Sequence, residues 1–286
     1  MINIFDWLVS AFKLGRDIRA ERSYRTDAFR LEAQRVIDAF QAHGLAPNEV
    51  ARLLPEALGH KASPAVLGDV NELKRHLSQI SPWTTAMLAL DPLWVRGRGS
   101  EPHRRIHSYK HISELTTFFR EREAASEDDA VGLAERYQLH FYKQDGRPLS
   151  ESRGTFVVLL TQEFAQLDGE SFHRTYYLTE GHHFEHSPCV VHLLQIVALA
   201  LHYRIFMSGH VLAAKHLAAL DEGNGFASDL TSEASGLLWY PEDIFFRPLD
   251  GDLGWNLTAR DWLEESLQDD QAEMLLRALP PKQQLV

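Results

Sequence analysis

Thr155–Leu178, TFVVLLTQEFAQLDGESFHRTYYL, carries the clearest statement of fold class in the chain. Its two runs, Thr155–Phe164 and Ser171–Leu178, are rich in β-branched and aromatic residues, which suit a pleated, half-buried surface. Between them, Asp168-Gly169 is a dipeptide that tolerates the positive φ of a tight hairpin turn. A third run of the same character, Gln138–Lys143, lies upstream beyond another turn dipeptide, Asp145-Gly146. The spacing predicts an antiparallel sheet of at least three strands.

Toward the C-terminus, Ser187-Pro188 combines a hydroxyl N-cap with proline at the first helical position. The helix it opens is apolar nearly all round as far as Ser208-Gly209, as expected of a helix buried against a sheet. A second helix is expected over His210–Asp221, ended by Gly223. A less regular region with Trp239, Tyr240, Phe245 and Pro248 follows. Thr258 then begins an acidic amphipathic helix carrying Trp262, Leu263 and Leu267, and Pro280–Val286 reads as a frayed tail.

Toward the N-terminus every periodic segment is helical. Phe5, Leu8, Val9 and Phe12 share one face of an amphipathic helix, and Arg16, Arg19, Arg22 and Arg25 follow it. Leu31, Val36, Ile37 and Phe40 form a second stripe stopped at Gly44, and Pro47 opens a short helix ending at Pro55. Asp69–Leu77 is a further segment, Ser81-Pro82 starts another helix, and Asp91–Val95 is a turn closed by Gly97. Glu121–Asp129 reads as a linker. The fold class is therefore α+β, with a helical domain at 1–122 and an α+β domain with a C-terminal helix at 130–286.

Charge is distributed unevenly over the 286 residues. Residues 1–122 carry 18 Lys/Arg against 14 Asp/Glu, whereas residues 123–286 carry 11 against 26. Such asymmetry suits a polyanion partner for the first half. The single Cys189 excludes an internal disulfide framework and a four-cysteine zinc site, and points to a reducing, cytoplasmic setting. The most apolar run, Cys189–Leu201, is shorter than the roughly 20 residues of a bilayer crossing and contains His192 and Gln195, so no membrane span is expected.

Two clusters carry chemistry. His182-His183-Phe184-Glu185-His186 has the H-x-x-E-H spacing of inverted zinc metalloproteases, but Gly181 and Ser187-Pro188 place it in a loop, where that spacing does not put both histidines on one helical face. His182, His183 and His186 remain candidate zinc ligands. Cys189 with His192 has the residue types of a thiolate and its base, and a cysteine in an apolar helix equally suits packing. The second cluster, Arg96, Arg98, Arg104 and Arg105, together with Arg52, Lys61, Lys74 and Arg75, is a candidate phosphate-contacting set. Phosphate-cradling glycine loops and the G-x-S-x-G elbow are absent from the sequence, and no catalytic set emerges.

Arg35–Leu54, RVIDAFQAHGLAPNEVARLL, resembles the first two helices of repressor-type, Cro-like helix–turn–helix regulators, and Thr85–Gly97, TAMLALDPLWVRG, is similar to that family's closing helices. The resemblance spans residues 35–97 and implies DNA binding and transcription regulation. The family's third helix offers polar side chains to base edges; here the matching region, Gly59–Val70, is mostly apolar and interrupted by Gly59, Pro64 and Gly68. The second half is similar in element order to small sensory domains of the PAS or GAF kind. The expected function is a DNA-associated regulator with a ligand-sensing or dimerising C-terminal module. The alternatives are a protein-interaction adaptor and a metal-binding protein using the histidine run.

Overall fold

The computed structural model describes residues 27–59, 62–125, 132–246 and 253–281. The amphipathic segment Ile2–Phe12, Arg16–Arg25, Lys61, Pro248, residues 126–129 of the acidic linker and the last five residues lie outside them. The chain divides into two compact units, Met1–Gly99 and Ser100–Val286. The division precedes the boundary expected near residue 122 because helix 112–125 belongs with the sheet, where Phe118 and Phe119 meet Tyr137 edge-on.

The first unit is all helical among its described residues. Helix α1 (Ala28–Ala42) is capped by Asp27, whose carboxylate accepts from the Arg30 amide at 3.1 Å, and it buries Val36, Ile37, Ala39 and Phe40. Gly44, at φ +73°, turns the chain, and α2 (Pro47–Leu53) starts on a proline, with the Glu49 carboxylate taking the Ala46 amide. Then come three one-turn helices, α3 (Glu56–Gly59), α4 (Pro64–Leu67) and α5 (Val70–Leu73). Helix α6 (Leu77–Met87) begins before the expected Ser81 start and carries Pro82 within it, and α7 (Pro92–Val95) is capped by Asp91. Arg35 ties this unit together, its guanidinium 4.9 Å above the Trp94 ring and bonded to the Trp94 and Gly99 carbonyls.

The second unit is built on a five-stranded mixed sheet. After α8 (Ile112–Ala125) and α9 (Leu133–Arg136) come β1 (Tyr137–Lys143), β2 (Phe156–Leu167) and β3 (Glu170–Tyr177), an antiparallel meander. Asp168 and Gly169, at φ +53° and +89°, make the two-residue turn between β2 and β3. Helix α10 (Ser187–His202) crosses over to β4 (Phe206–Val211), which pairs parallel with β1, and β5 (Ser235–Trp239) completes the order β3-β2-β1-β4-β5. The parallel pair is the feature the turn signals did not announce.

Ser208-Gly209 reads in sequence as a helix stop, yet α10 ends at His202 and Gly209 lies inside β4, opposite Trp239. A Cβ on Gly209 would come within 2.3 Å of the Trp239 ring, so glycine is required by close approach and not by a helix end. His210 is likewise a strand residue, and the second helix, α11 (Ala214–Glu222), begins four residues later and is closed by Gly223 at φ +68°. One sheet face packs Tyr142, Val157, Leu159 and Tyr177 against α11 and α12 (Ala227–Thr231). Helix α10, with eleven buried residues, touches α8, α14 (Leu253–Ser266) and α15 (Asp269–Arg277). Each fully buried Leu, Ile or Val there stabilises the unit by about 1.5–3 kcal/mol. Helix α14 starts ahead of the expected Thr258, following α13 (Asp243–Phe246).

Candidate functional site

Three separate segments of the second unit bring Ser108, His192 and His182 into one hydrogen-bonded chain. Arg104–Ile106 runs along the outer edge of β3, with the Tyr177 amide donating to the Arg104 carbonyl and the Ile106 amide to the Tyr177 carbonyl, and this pairing places Ser108. His182 lies in the loop after β3, its carbonyl taking the Phe156 amide at 3.0 Å, so its ring turns inward. His192 is in the second turn of α10. The Ser108 Oγ lies 2.9 Å from His192 Nε2, His192 Nδ1 lies 2.9 Å from His182 Nε2, and His182 Nδ1 lies 2.9 Å from the Glu180 carbonyl. The Glu180 amide N–H also donates to the same Nδ1, at 3.2 Å.

The His182 tautomer sets the order of protons along the chain: with Nδ1 accepting from the Glu180 amide, Nε2 donates to His192 Nδ1 and His192 Nε2 donates to the Ser108 oxygen, and with Nδ1 donating to the Glu180 carbonyl the order reverses. Ser108, His182 and His192 are all buried, and the Tyr109 ring meets both imidazoles edge-on at 4.8 and 5.7 Å. Burial, followed by the neighbouring His182, pushes His192 down to about 3, and burial also lowers His182, so both rings are uncharged near neutral pH.

Two cavities flank the chain. One of about 270 Å³ is lined by Ser108, Tyr109, Tyr177, Thr179, Glu180 and His182. The other, of about 390 Å³, is lined by His192, Lys110, Gln195, Trp262, Glu265 and Ser266 and falls in the size range of small-molecule sites. Lys110, at its edge, has φ +61°, a backbone strain that costs on the order of 1 kcal/mol and concentrates at functional sites.

The histidine run of the sequence is split by this arrangement. His182 is buried against His192, His183 is exposed with Nδ1 3.4 Å from the Thr155 hydroxyl, and His186 is exposed at the N-cap of α10. Glu185 accepts the Gly154 amide at 2.8 Å. Among the described residues no group of three or more His, Cys, Asp or Glu is placed to hold a metal. Cys189 is buried with Sγ 4.0 Å from the Tyr109 hydroxyl, and His192 faces Ser108 and His182 instead of that thiol. Ser108 and Tyr109 carry no sequence motif, and only the pairing of the 104–106 segment with β3 makes them legible.

The basic candidates scatter. Lys74 pairs with Asp27, and Arg75 takes both Glu72 oxygens at 2.8 and 3.0 Å. Arg105 is held by Glu101 at 2.6 Å and by the Thr179 and Asp221 carbonyls, with its guanidinium 5.0 Å from the Tyr177 ring; it is a packing residue. Arg52, Arg96, Arg98 and Arg104 are exposed, and Arg104 falls, like Arg105, in the second unit. Residues 1–99 hold 13 Lys/Arg against 11 Asp/Glu, so much of the basic excess of the first half lies past Gly99.

Neither a protein-family model, a curated protein nor a solved structure matches this chain. Among the described residues no helix is long and apolar enough to cross a membrane.

Proposed function

We propose that this chain is a DNA-associated regulatory protein whose second unit binds a small ligand in the cavity of about 390 Å³ beside His192. The observation that carries the ligand half is that cavity, which joins an uncharged buried imidazole to Trp262, Gln195 and Glu265 under a strained Lys110. Its wall sets Pro188, Val191 and Trp262 among six polar or charged residues, so a polar small molecule suits it better than an apolar one. The DNA half is supported by the α1–Gly44–α2 turn and by Arg96 and Arg98, neither of which pairs with a carboxylate among the described residues. The region where the resembled family carries its base-reading helix holds α4 and α5, of four residues each. Contact through phosphate, without base readout, is the binding mode this supports.

Fluorescence anisotropy with a random-sequence duplex at 50 and 200 mM salt is the test. Binding should weaken steeply with salt, and Arg96→Ala/Arg98→Ala should lower the slope of log K against log salt by about 2, roughly one for each phosphate that is no longer neutralised. No binding at the lower salt would overturn the DNA half.

A second reading, a protein-interaction adaptor, is favoured by exposed Phe29 and Leu31 on α1 and Leu93 on α7, 64%, 40% and 54% accessible, on helices that pack together. Of the aromatics that could add to such a patch, Trp94 and Phe245 are buried and Trp83 and Trp239 are half-buried. Self-association relieved by Leu93→Asp, with no DNA binding, would favour it.

A further inference from the structure

We infer that the cavity of about 390 Å³ beside His192 takes a free amino acid with an apolar side chain, bound as its zwitterion: the carboxylate at Lys110, the ammonium at Glu265 and Gln195, and the side chain against Trp262. The inference rests on the reading of that cavity as a ligand site and is independent of the DNA reading.

Two opposite charges line the cavity, and neither is engaged. Among the described residues no carboxylate pairs with Lys110 and no hydrogen bond reaches its ammonium, which stands 5.2 Å from the centroid of the Tyr109 ring. The Glu265 carboxylate has no ion pair or hydrogen bond there either, whereas its neighbour Glu264 takes Arg260 at 2.9 Å. Gln195 adds a neutral acceptor. It is 7% exposed, and its Nε2 donates at 3.1 Å to the Ser266 hydroxyl, whose own proton goes to the Leu263 carbonyl at 2.7 Å. A hydroxyl has one proton to give, so Ser266 can only accept from Gln195. The orientation of the amide is thereby fixed, and Oε1 is left without a hydrogen bond among the described residues, on a side chain that lines the cavity.

The remaining wall offers no further charge. His192 spends Nδ1 on His182 and Nε2 on Ser108, so neither ring nitrogen is left for a ligand. Pro188, Val191 and Trp262 supply apolar surface beside it. A ligand with a carboxylate alone would set that charge near an unmatched Glu265, and one with an ammonium alone would face Lys110. An uncharged ligand would displace water from both groups and return nothing to either. A molecule with both charges and a short apolar chain meets all three parts of the wall at once, and each part rejects analogues that lack its counterpart.

The test is isothermal titration calorimetry of the full chain near neutral pH with L-leucine and L-phenylalanine, each beside its amide, which lacks the carboxylate, and its deamino acid, which lacks the ammonium. One of the two amino acids or both should bind, with each singly charged analogue weaker by about 10-fold or more. Lys110→Met should close the gap between the amino acid and its amide, and Glu265→Gln the gap between the amino acid and its deamino acid. Both positions are exposed, so these changes spare the fold. Trp262→Ala should weaken all of the compounds together. An amide or deamino acid that binds more tightly than its amino acid, and is weakened by Trp262→Ala, overturns the zwitterion while the cavity stands as a ligand site. Amino-acid binding indifferent to all three changes overturns the inference by placing the ligand elsewhere. Silence from every compound overturns it as well, and a thermal-shift screen of uncharged polar molecules then decides the reading of the cavity separately.

Discussion

The second unit contains two histidine pairs, each linked to a serine, and they are built differently. His182 and His192 are 2% and 1% exposed, touch each other directly, and pass their hydrogen bonds from Ser108 at one end to a backbone carbonyl at the other. His140 and His210 lie on a sheet face, at neighbouring positions of β1 and β4, and meet chiefly through Ser208, whose hydroxyl is 2.9 Å from a nitrogen of each, their own nitrogens being 3.5 Å apart; His140 Nε2 reaches the Thr161 hydroxyl at 3.1 Å. Both pairs avoid charge. Burial leads in every case, holding His192 at about 3 and His140 at about 4, with each pair's second imidazole also lowered. The difference is in what surrounds them: the first pair separates two cavities, whereas the second bridges adjacent strands. The same residue types make a candidate site in one place and a cross-strand tie in the other, so function has to be argued from neighbours and not from residue identity.

The steepest penalty should fall on the sealed pair. His192→Ala removes both central hydrogen bonds and leaves Ser108 and His182 buried without that partner, beside a new void; thermal or urea unfolding should register a loss of about 4 kcal/mol. A loss under about 1 kcal/mol would mean that the chain is solvated and not sealed. Next is Gly209→Ala, between Ser208 and His210: the added carbon meets Trp239, whose indole N–H donates to the His210 carbonyl at 3.3 Å. Overpacking of this kind costs about 1–3 kcal/mol, and loss of the indole's fixed environment should appear in Trp fluorescence.

Acid separates the two pairs without mutation. In the unfolded chain a histidine titrates near 6.5, while folded His192 titrates at about 3. Between those values the unfolded state holds the extra proton, so stability is complete above about pH 6.5 and falls as pH drops toward 3. His192 alone should remove about 2 kcal/mol between pH 7 and 5. His140, His182 and His210 act in the same direction, and His192→Phe should flatten the pH dependence of urea unfolding more than His210→Phe does.

How much of this was legible in advance follows from the range of each signal. The β2–β3 hairpin was readable because Asp168-Gly169 and the alternating runs are local, and so was the start of α10 at Ser187-Pro188. The parallel β1–β4 pair was not, because it depends on α10 carrying the chain across the sheet, and Gly209 carries the same letter whether it stops a helix or yields space to Trp239. In the candidate site, His182 was singled out with His183 and His186, and His192 with Cys189, whereas the hydrogen bonds join His182 and His192 to each other and to Ser108. Ser108 is 84 residues from His192 in sequence, and the edge pairing of Arg104–Ile106 that presents it leaves no periodic trace.

The mildest change tests whether the two pairs differ in kind or only in depth. His210→Ala should cost less than about 1 kcal/mol, since Ser208 keeps His140 as a partner and the half-buried site admits water to replace the missing imidazole. Combined with His140→Ala, the non-additive part should stay near the roughly 0.5 kcal/mol seen for weakly linked sites, whereas the His182→Ala/His192→Ala cycle should give about 1–3 kcal/mol, because either single change already breaks the one chain. Equal coupling in both cycles would show that the imidazole contact of 2.9 Å adds nothing beyond a bridging hydroxyl and the longer contact of 3.5 Å. In that event the orientation of His192 by His182 would lose its energetic basis even if the geometry were correct.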